Sequence, residues 1–328
     1  MQISEFQNKI LFIKSEIDFN NLSMWLFRYQ AVHNLVYSSY LKALGIDVEN
    51  VNSVEEIPFL PIDFFKTHSV VTGDFEEEIV FTSSGTTGTN TSCHFVKSKA
   101  WYERVFMHGF EHFYGKPKEY CFVALLPSYL ERKGSSLVYM VEKLIEETNT
   151  GESGFFLRNY KQLSSQLMEN ERAKRKTILL GVTFGLLEFS EQFPISLNHT
   201  IVMETGGMKG MRKELTREEV SRVLKRCFST SSIHSEYGMT ELMSQAYSKE
   251  KGIFYSPPWM RFLVRETNDP LKTSNYGRGV LNIIDLANID SCAFIATQDV
   301  GEVFSYGGFK VLGRIDNSDI RGCNLLVI

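Results

Sequence analysis

The sequence predicts an α/β fold of layered, mainly parallel architecture followed by a smaller β-rich part, and three observations carry this. Between about 98 and 242, strand-length apolar runs alternate with segments of helical period joined by short links, as crossover-connected parallel strands do. After about 242 the helical period disappears, and short apolar runs alternate with turns, as in a small antiparallel barrel or sheet. No repeat, low-complexity tract or proline-rich linker interrupts the 328 residues. The chain therefore reads as one folded unit, subdivided into a layered α/β part (1–242) and a mainly β part (243–328).

In chain order, apolar residues recur at helical spacing over 20–45, with Asn20 or Asn21 as the cap and Gly45 as the stop. Ser98 caps a helix that runs through Tyr114 and ends at Gly115. A strand over 120–126 leads into a turn at Pro127, and a helix follows over 135–147. The alternation continues with a helix at 160–173, a strand at 177–182, a helix at 184–192 and a strand at 200–204. A helix from Thr216 to Cys227 and a strand at 231–236 complete it. Beyond 242, the runs at 261–265, 280–284 and 300–304 are the candidate strands, and the coils at 149–154 and 247–258 read as mobile loops.

Composition narrows the function classes. A hydrophobic share of 43% with 23% charged residues is that of a soluble globular chain, and a net charge of −4 gives no reason to expect nucleic acid or an anionic membrane as partner. The longest apolar run, 178–187, is too short to cross a bilayer, so no stable membrane insertion is expected. The start, Met1 to Glu5, lacks the basic and apolar regions of a secretory signal. The five cysteines (Cys93, Cys121, Cys227, Cys292 and Cys323) are scattered without a C-x-x-C pair, which predicts reduced thiols and a cytoplasmic setting.

The densest chemistry lies in Thr82-Ser83-Ser84-Gly85-Thr86-Thr87-Gly88, which follows the apolar pair Val80-Phe81. Glycines let a backbone approach a ligand closely, and hydroxyls with freed N–H groups wrap a phosphate. The segment lacks the spacing of an NTPase P-loop, and by itself it reads as readily as a polar surface turn. In the run from Ser235 to Leu242, the hydroxyl of Thr240 beside the acid Glu241, after a glycine turn, suits a hydrated Mg²⁺ and a phosphate. Farther on, Asp299 before a glycine turn suits ribose hydroxyls, and Arg314 suits phosphate or carboxylate. Each alone reads as a turn or a surface pair; their occurrence together, in this order, is much harder to assign to chance.

This order resembles the adenylate-forming superfamily of acyl- and aryl-CoA ligases, luciferase-type enzymes and nonribosomal adenylation domains. The segments Ile57 to Lys66, Leu126 to Leu137, Glu204 to Gly210 and Asp319 to Cys323 narrow it. Together they look like the bacterial acyl-protein synthetases, the LuxE-type fatty-acid ligases, from about the first helix to the last residue. The resemblance implies the large N-terminal domain of the adenylate-forming fold: layered αβαβα subdomains plus a small β-barrel. Only fourteen residues follow Arg314, so the superfamily's C-terminal lid, with its lysine for adenylation, is expected to be missing.

The resemblance also implies a reaction: ATP and Mg²⁺ activate a fatty or other carboxylic acid as an acyl-adenylate, and the acyl group passes to an enzyme cysteine and then to an acyl reductase partner. On that reading Thr82, Ser83, Ser84, Gly85, Thr86, Thr87 and Gly88 hold the pyrophosphate end of ATP, and Thr240 touches the α-phosphate. Glu241 holds the metal, Asp299 the ribose, and Arg314 neutralises phosphate. Gly206, Gly207 and Met208 line adenine and Tyr237 stacks on it, although Gly206-Gly207 reads nearly as well as a plain turn. The superfamily's lysine after the loop is absent, the nearest being Lys97, which shifts charge neutralisation to Mg²⁺, backbone N–H groups and Arg314.

The acceptor implied is Cys323. Nine extended residues from Arg314 span at most about 30 Å, enough to fold back onto a nucleotide, and Arg321 would lower the thiol pKa. Against this, the apolar end at 325–328 suits a packed strand with an inert thiol. Two other functions stay open: a ligase of the phenylacetate-CoA or F390 synthetase kind that uses a soluble acceptor, and a degenerate nucleotide-binding scaffold. His108 and His112 match a zinc-protease spacing but read as part of an amphipathic helix, and His234 reads equally as an acyl-pocket or a structural histidine.

Overall fold

The computed structural model describes residues 1–83, 91–126, 134–148, 150–157, 159–206, 215–266 and 269–315. Strands Cys121–Leu125, Thr177–Val182, Thr200–Thr205 and His234–Tyr237 run parallel as neighbours in one sheet. Gly154–Phe155 adds a parallel edge, and Ala246–Ser248 an antiparallel one. The central strands are buried on both faces, because successive side chains enter different cores. Phe122 and Ala124 join the core that holds Trp101, Phe106 and Met140 from helices Lys99–Tyr114 and Ser136–Thr148. Cys121, Val123 and Leu125 join a second core with Leu167, Leu187 and Leu224 from helices Tyr160–Arg172, Thr183–Gln192 and Arg217–Phe228. This is the layered α/β arrangement predicted, with every element of its alternation within two residues of the expected bounds except the strand read at 231–236, which lies at His234–Tyr237.

The second sheet has the order Leu60–Pro61, Phe294–Val303, Gly277–Asp285, Met260–Arg265, Thr273–Ser274, with Phe309–Arg314 also paired to Phe294–Val303. All of its pairs are antiparallel except Leu60–Pro61, which runs parallel to Phe294–Val303. Strands are thus exchanged across residue 242: the β part takes in Leu60–Pro61, and Ala246–Ser248 completes the parallel sheet.

Three local readings change. The helix expected over 20–45 is two helices, Glu16–His33 and Leu35–Ala43, and the first is capped by Ser15. Asn34 breaks them: its buried side chain accepts from Tyr37 N–H as a cap and donates to the carbonyl of Ser291, an alternative to continuing the helix. The 247–258 coil is pinned, since Tyr247 and Tyr255 exchange backbone hydrogen bonds and Tyr247, Phe254 and Trp259 are buried. A hairpin of Ile79–Thr82 and Cys93–Val96 brackets the glycine/hydroxyl segment; four-residue strands leave too short an alternation to read.

Candidate active site

Ligands of open parallel sheets sit beyond the carboxyl ends of the strands, and Gly206, Tyr237, Thr240 and Glu241 emerge there. Strand Thr200–Thr205 ends at Gly206, whose φ of +75° starts the turn and whose carbonyl lies 2.7 Å from the Thr183 hydroxyl. The next strand ends at Tyr237, followed by Gly238, where a Cβ would stand 2.5 Å from Oε1 of Glu236, so a side chain there would displace that carboxyl.

Beyond Gly238, the Thr240–Glu241 turn is held by a buried polar cradle. His94 Nδ1 lies 2.8 Å from the Thr240 carbonyl, and its Nε2 lies 3.1 Å from Asn288 Oδ1. Asn288 Nδ2 donates to the Glu241 carbonyl at 2.8 Å. Asp285 accepts from the N–H groups of Met243 and Ser244 at 2.9 and 3.0 Å, and from the Ser244 hydroxyl at 2.7 Å. Carbonyls and amides of the turn are satisfied on both sides, so its backbone is fixed although it belongs to neither a helix nor a strand.

The ends of the glycine/hydroxyl segment meet this turn. Ser83 N–H donates to the Ser92 carbonyl at 3.0 Å, and Ser92 N–H donates to the Ser83 hydroxyl at 2.9 Å. Ser92 is buried, and its side chain lies near enough to the Glu241 carboxyl to pull its pKa down. Thr82 N–H donates to the carbonyl of Gly134 at 2.8 Å; there a φ of +88° favours glycine, and a Cβ would stand 3.1 Å from Thr82 Oγ1 and Val80 O. Ser84, Gly85, Thr86, Thr87 and Gly88 lie outside the described residues, as do Gly207, Met208 and Cys323.

The second sheet contributes the facing wall. Asp299 and Arg314 are register partners on neighbouring antiparallel strands, with Arg314 Nε 4.0 Å from Asp299 Oδ1. Tyr237 donates its hydroxyl to Asp299 Oδ2 at 2.7 Å and packs edge-on against Phe254, Phe262 and Phe309. Its phenol is pushed well above the ordinary range by burial and then by the Asp299 charge. A polar chain leads on from Arg314 to Gln298 Oε1 at 3.4 Å, and from Gln298 Nε2 to Asp63 Oδ2 at 2.7 Å. It ends at Lys66, which pairs with Asp63 at 2.7 Å.

Glu241 is the electrostatic centre. Burial raises its carboxyl above the usual range, while Ser92, Arg314 and Lys66 pull it down. Among the described residues it forms no salt bridge, so a buried carboxylate stands without a contacting cation, an arrangement that one bound cation would relieve. No cluster of three His, Cys, Asp or Glu side chains suited to a metal exists among the described residues. The donor set therefore fits a metal held by one carboxylate together with phosphate oxygens and water, the manner of Mg²⁺.

Sequence reasoning missed His94, Asp285, Asn288 and the role of Lys66. The available signal was polarity in an apolar run: Asp285 and Asn288 interrupt the apolar stretch 283–289, and burial then forces them to bond backbone groups. His108, by contrast, lies within helix Lys99–Tyr114, reaches the Leu11 carbonyl at 3.2 Å and packs on Trp259. His234 is hydrogen-bonded to the Tyr114 hydroxyl at 3.1 Å, and burial pushes it down to about 4.

The family model of acyl-protein synthetase, LuxE, matches residues 14–328. The chain belongs to that family. No curated protein matches it by sequence. Among solved structures, this LuxE-family chain is similar to the luciferase-like enzyme of the nonluminescent mealworm Zophobas morio, at 15% identity and a TM-score of 0.51, over 75% of this chain and 60% of that one. It is also similar to O-succinylbenzoate Coenzyme A synthetase (MenE) of Bacillus subtilis in complex with ATP and magnesium ion, at 14% identity and a TM-score of 0.51, over 72% of this chain and 49% of that one. At such identities the likeness is one of fold, that of the large domain of adenylate-forming enzymes. The chain spans about three-fifths and half the length of these two.

Proposed function

We propose that this LuxE-family chain uses ATP and Mg²⁺ to activate a carboxylic acid, a fatty acid by family, and passes the acyl group to its own Cys323. The observation that carries the reading is that Glu241 feels both Ser92, bonded to Ser83 at the foot of the glycine/hydroxyl segment, and Arg314, the partner of Asp299. The family match and the MenE complex with ATP and magnesium ion support the nucleotide assignment.

A carboxylate oxygen of the acid attacks the α-phosphorus of ATP; the bond to the β-phosphate oxygen breaks and pyrophosphate leaves, giving an acyl-adenylate. The chain's work is positioning and charge neutralisation. Asp299, one oxygen already oriented by Tyr237, accepts from ribose hydroxyls. Thr240 meets the α-phosphate, and Gly206, Gly207, Met208 and Tyr237 line the adenine. Arg314 and Lys66 bring positive charge, Lys66 taking the part of the missing loop lysine. Mg²⁺, held by Glu241, would neutralise the phosphate oxygens. The Cys323 thiolate then attacks the acyl carbon, forming a thioester and releasing AMP, and an acyl reductase is the proposed recipient. Acid-dependent exchange of labelled pyrophosphate into ATP tests the first half-reaction across a series of acid lengths; no exchange with any acid would refute it.

A further inference from the structure

We infer that His94 is a positioning residue of the nucleotide site, fastening the Thr240–Glu241 turn to the strand that leaves the phosphate-binding segment. This rests on the reading of Glu241 as the metal-holding carboxylate.

Along 91–96 burial alternates residue by residue, and Ser92, His94 and Val96 point inward together. Ser92 reaches the Glu241 carboxylate, and His94, two residues on, reaches the carbonyl of Thr240. Asn288 lies on the other side of the ring: its Nδ2 donates to the Glu241 and Cys292 carbonyls at 2.8 and 3.0 Å, so its Oδ1 faces His94. Both ring nitrogens thus face oxygens, at 2.8 and 3.1 Å. Burial lowers the ring pKa to about 4 and keeps it neutral with a single N–H, which we assign to Nδ1, the nitrogen with the shorter contact; the Thr240 carbonyl is then its hydrogen-bond partner, and Asn288 Oδ1 is a contact without a hydrogen bond. Phe65 packs edge-on against the ring and closes the remaining side. This arrangement places the loop end, through Ser92, and the metal carboxylate, through the turn, on one frame, where an ångström of misplacement is felt in the reaction.

Three substitutions separate positioning from packing. Asparagine carries its amide nitrogen where imidazole has Nδ1, glutamine carries it where imidazole has Nε2, and phenylalanine keeps only the ring. His94→Asn should stay within about 3-fold of wild type in MgATP affinity and in the Mg²⁺ concentration for half-maximal pyrophosphate exchange. His94→Gln and His94→Phe should worsen both by about 10-fold, the scale of one lost buried hydrogen bond, and leave affinity for the free acid unchanged. In the ligand-free protein, hydrogen–deuterium exchange at amides 242–244 should speed up about 10-fold in the glutamine and phenylalanine variants only. Wild-type amide exchange or MgATP affinity in His94→Phe overturns the inference. So does His94→Asn as impaired as His94→Phe, or acid affinity falling in step with MgATP. Wild-type protein that shows no pyrophosphate exchange counts against the proposed function, and the amide-exchange arm still decides the fastening.

Discussion

The Tyr237 hydroxyl donates to Asp299 at 2.7 Å, joining the last parallel strand to the second sheet. This bond occupies Oδ2 and leaves Oδ1 beside Arg314. The proposed ribose acceptor is therefore oriented before any nucleotide arrives, which lowers the ordering cost of binding.

Asp299→Ala should weaken ATP binding by about 1.5–3 kcal/mol, the range for hydrogen bonds to a charged group, and Tyr237→Phe by about 1 kcal/mol. Calorimetric titration with ATP and with the free acid checks both. Affinity for the acid should not change; equal losses for the two ligands would mark a folding defect where these strands meet.

Glu241→Ala should lower acid-dependent pyrophosphate exchange by more than ~100-fold, the effect of losing a metal clamp on a transferring phosphoryl group. Glu241→Gln, which keeps the shape and a partner for Ser92, should fall comparably because the charge is what is lost. A folded Glu241→Gln protein with near wild-type exchange would refute the metal assignment.

The parallel layers were legible because fully buried strands and amphipathic helices leave long, distinct hydrophobic periods. The Tyr237–Glu241 turn was legible as a local motif, whereas the glycine turn expected after Asp299 is continuous strand, Phe294–Val303, with a register shift at Gly301. The cradle was not legible: His94 lies 146 positions from Thr240, and Asn288 lies 47 from Glu241, so only tertiary pairing brings them together. Leu60–Pro61 was unreadable for a similar reason, since a two-residue strand has no period and owes its conformation to pairing with Ile295 and Ala296.

Lys66 gives a test of electrostatics apart from stability. Its pair with Asp63 is partly exposed, so Lys66→Met should change stability by less than about 1 kcal/mol. If its charge serves the phosphates beside Glu241, kcat/KM for ATP in pyrophosphate exchange should fall about 10-fold, with the melting temperature unchanged. A wild-type kcat/KM would remove Lys66 from the site.

Glu236 supplies a pH dependence. Burial first, and then the neighbouring Glu204 charge, raise its carboxyl from 4.5 to about 7, against the Thr205 hydrogen bond. The folded state therefore holds this proton more tightly than the unfolded one. Its stabilising contribution is complete below 4.5 and is lost as pH rises through about 7. Glu236→Gln, permanently neutral, should become more stable relative to wild type as pH rises from 4 to 8, by roughly 2–3 kcal/mol. Urea denaturation of both proteins at the two pH values measures it; a difference independent of pH would mean that Glu236 is ionised at no greater cost in the fold than outside it.

Cys323 separates the two half-reactions. A thiol that accepts the acyl group acts only after the adenylate exists, so Cys323→Ser should keep acid-dependent pyrophosphate exchange and lose covalent label from radioactive fatty acid plus ATP. In the wild-type protein neutral hydroxylamine should release that label, as it does a thioester. The other cysteines are the controls. Cys121 and Cys292 are buried, and burial pushes the Cys292 thiol up to about 12, where almost no thiolate forms at neutral pH. Cys93 and Cys227 are partly exposed, so their serine variants must be labelled like the wild type for the assignment to hold. Label that persists in Cys323→Ser would refute the acyl-protein step. So would a wild type that never takes label while acyl-CoA accumulates in the presence of coenzyme A, and a ligase with a soluble acceptor would then replace it.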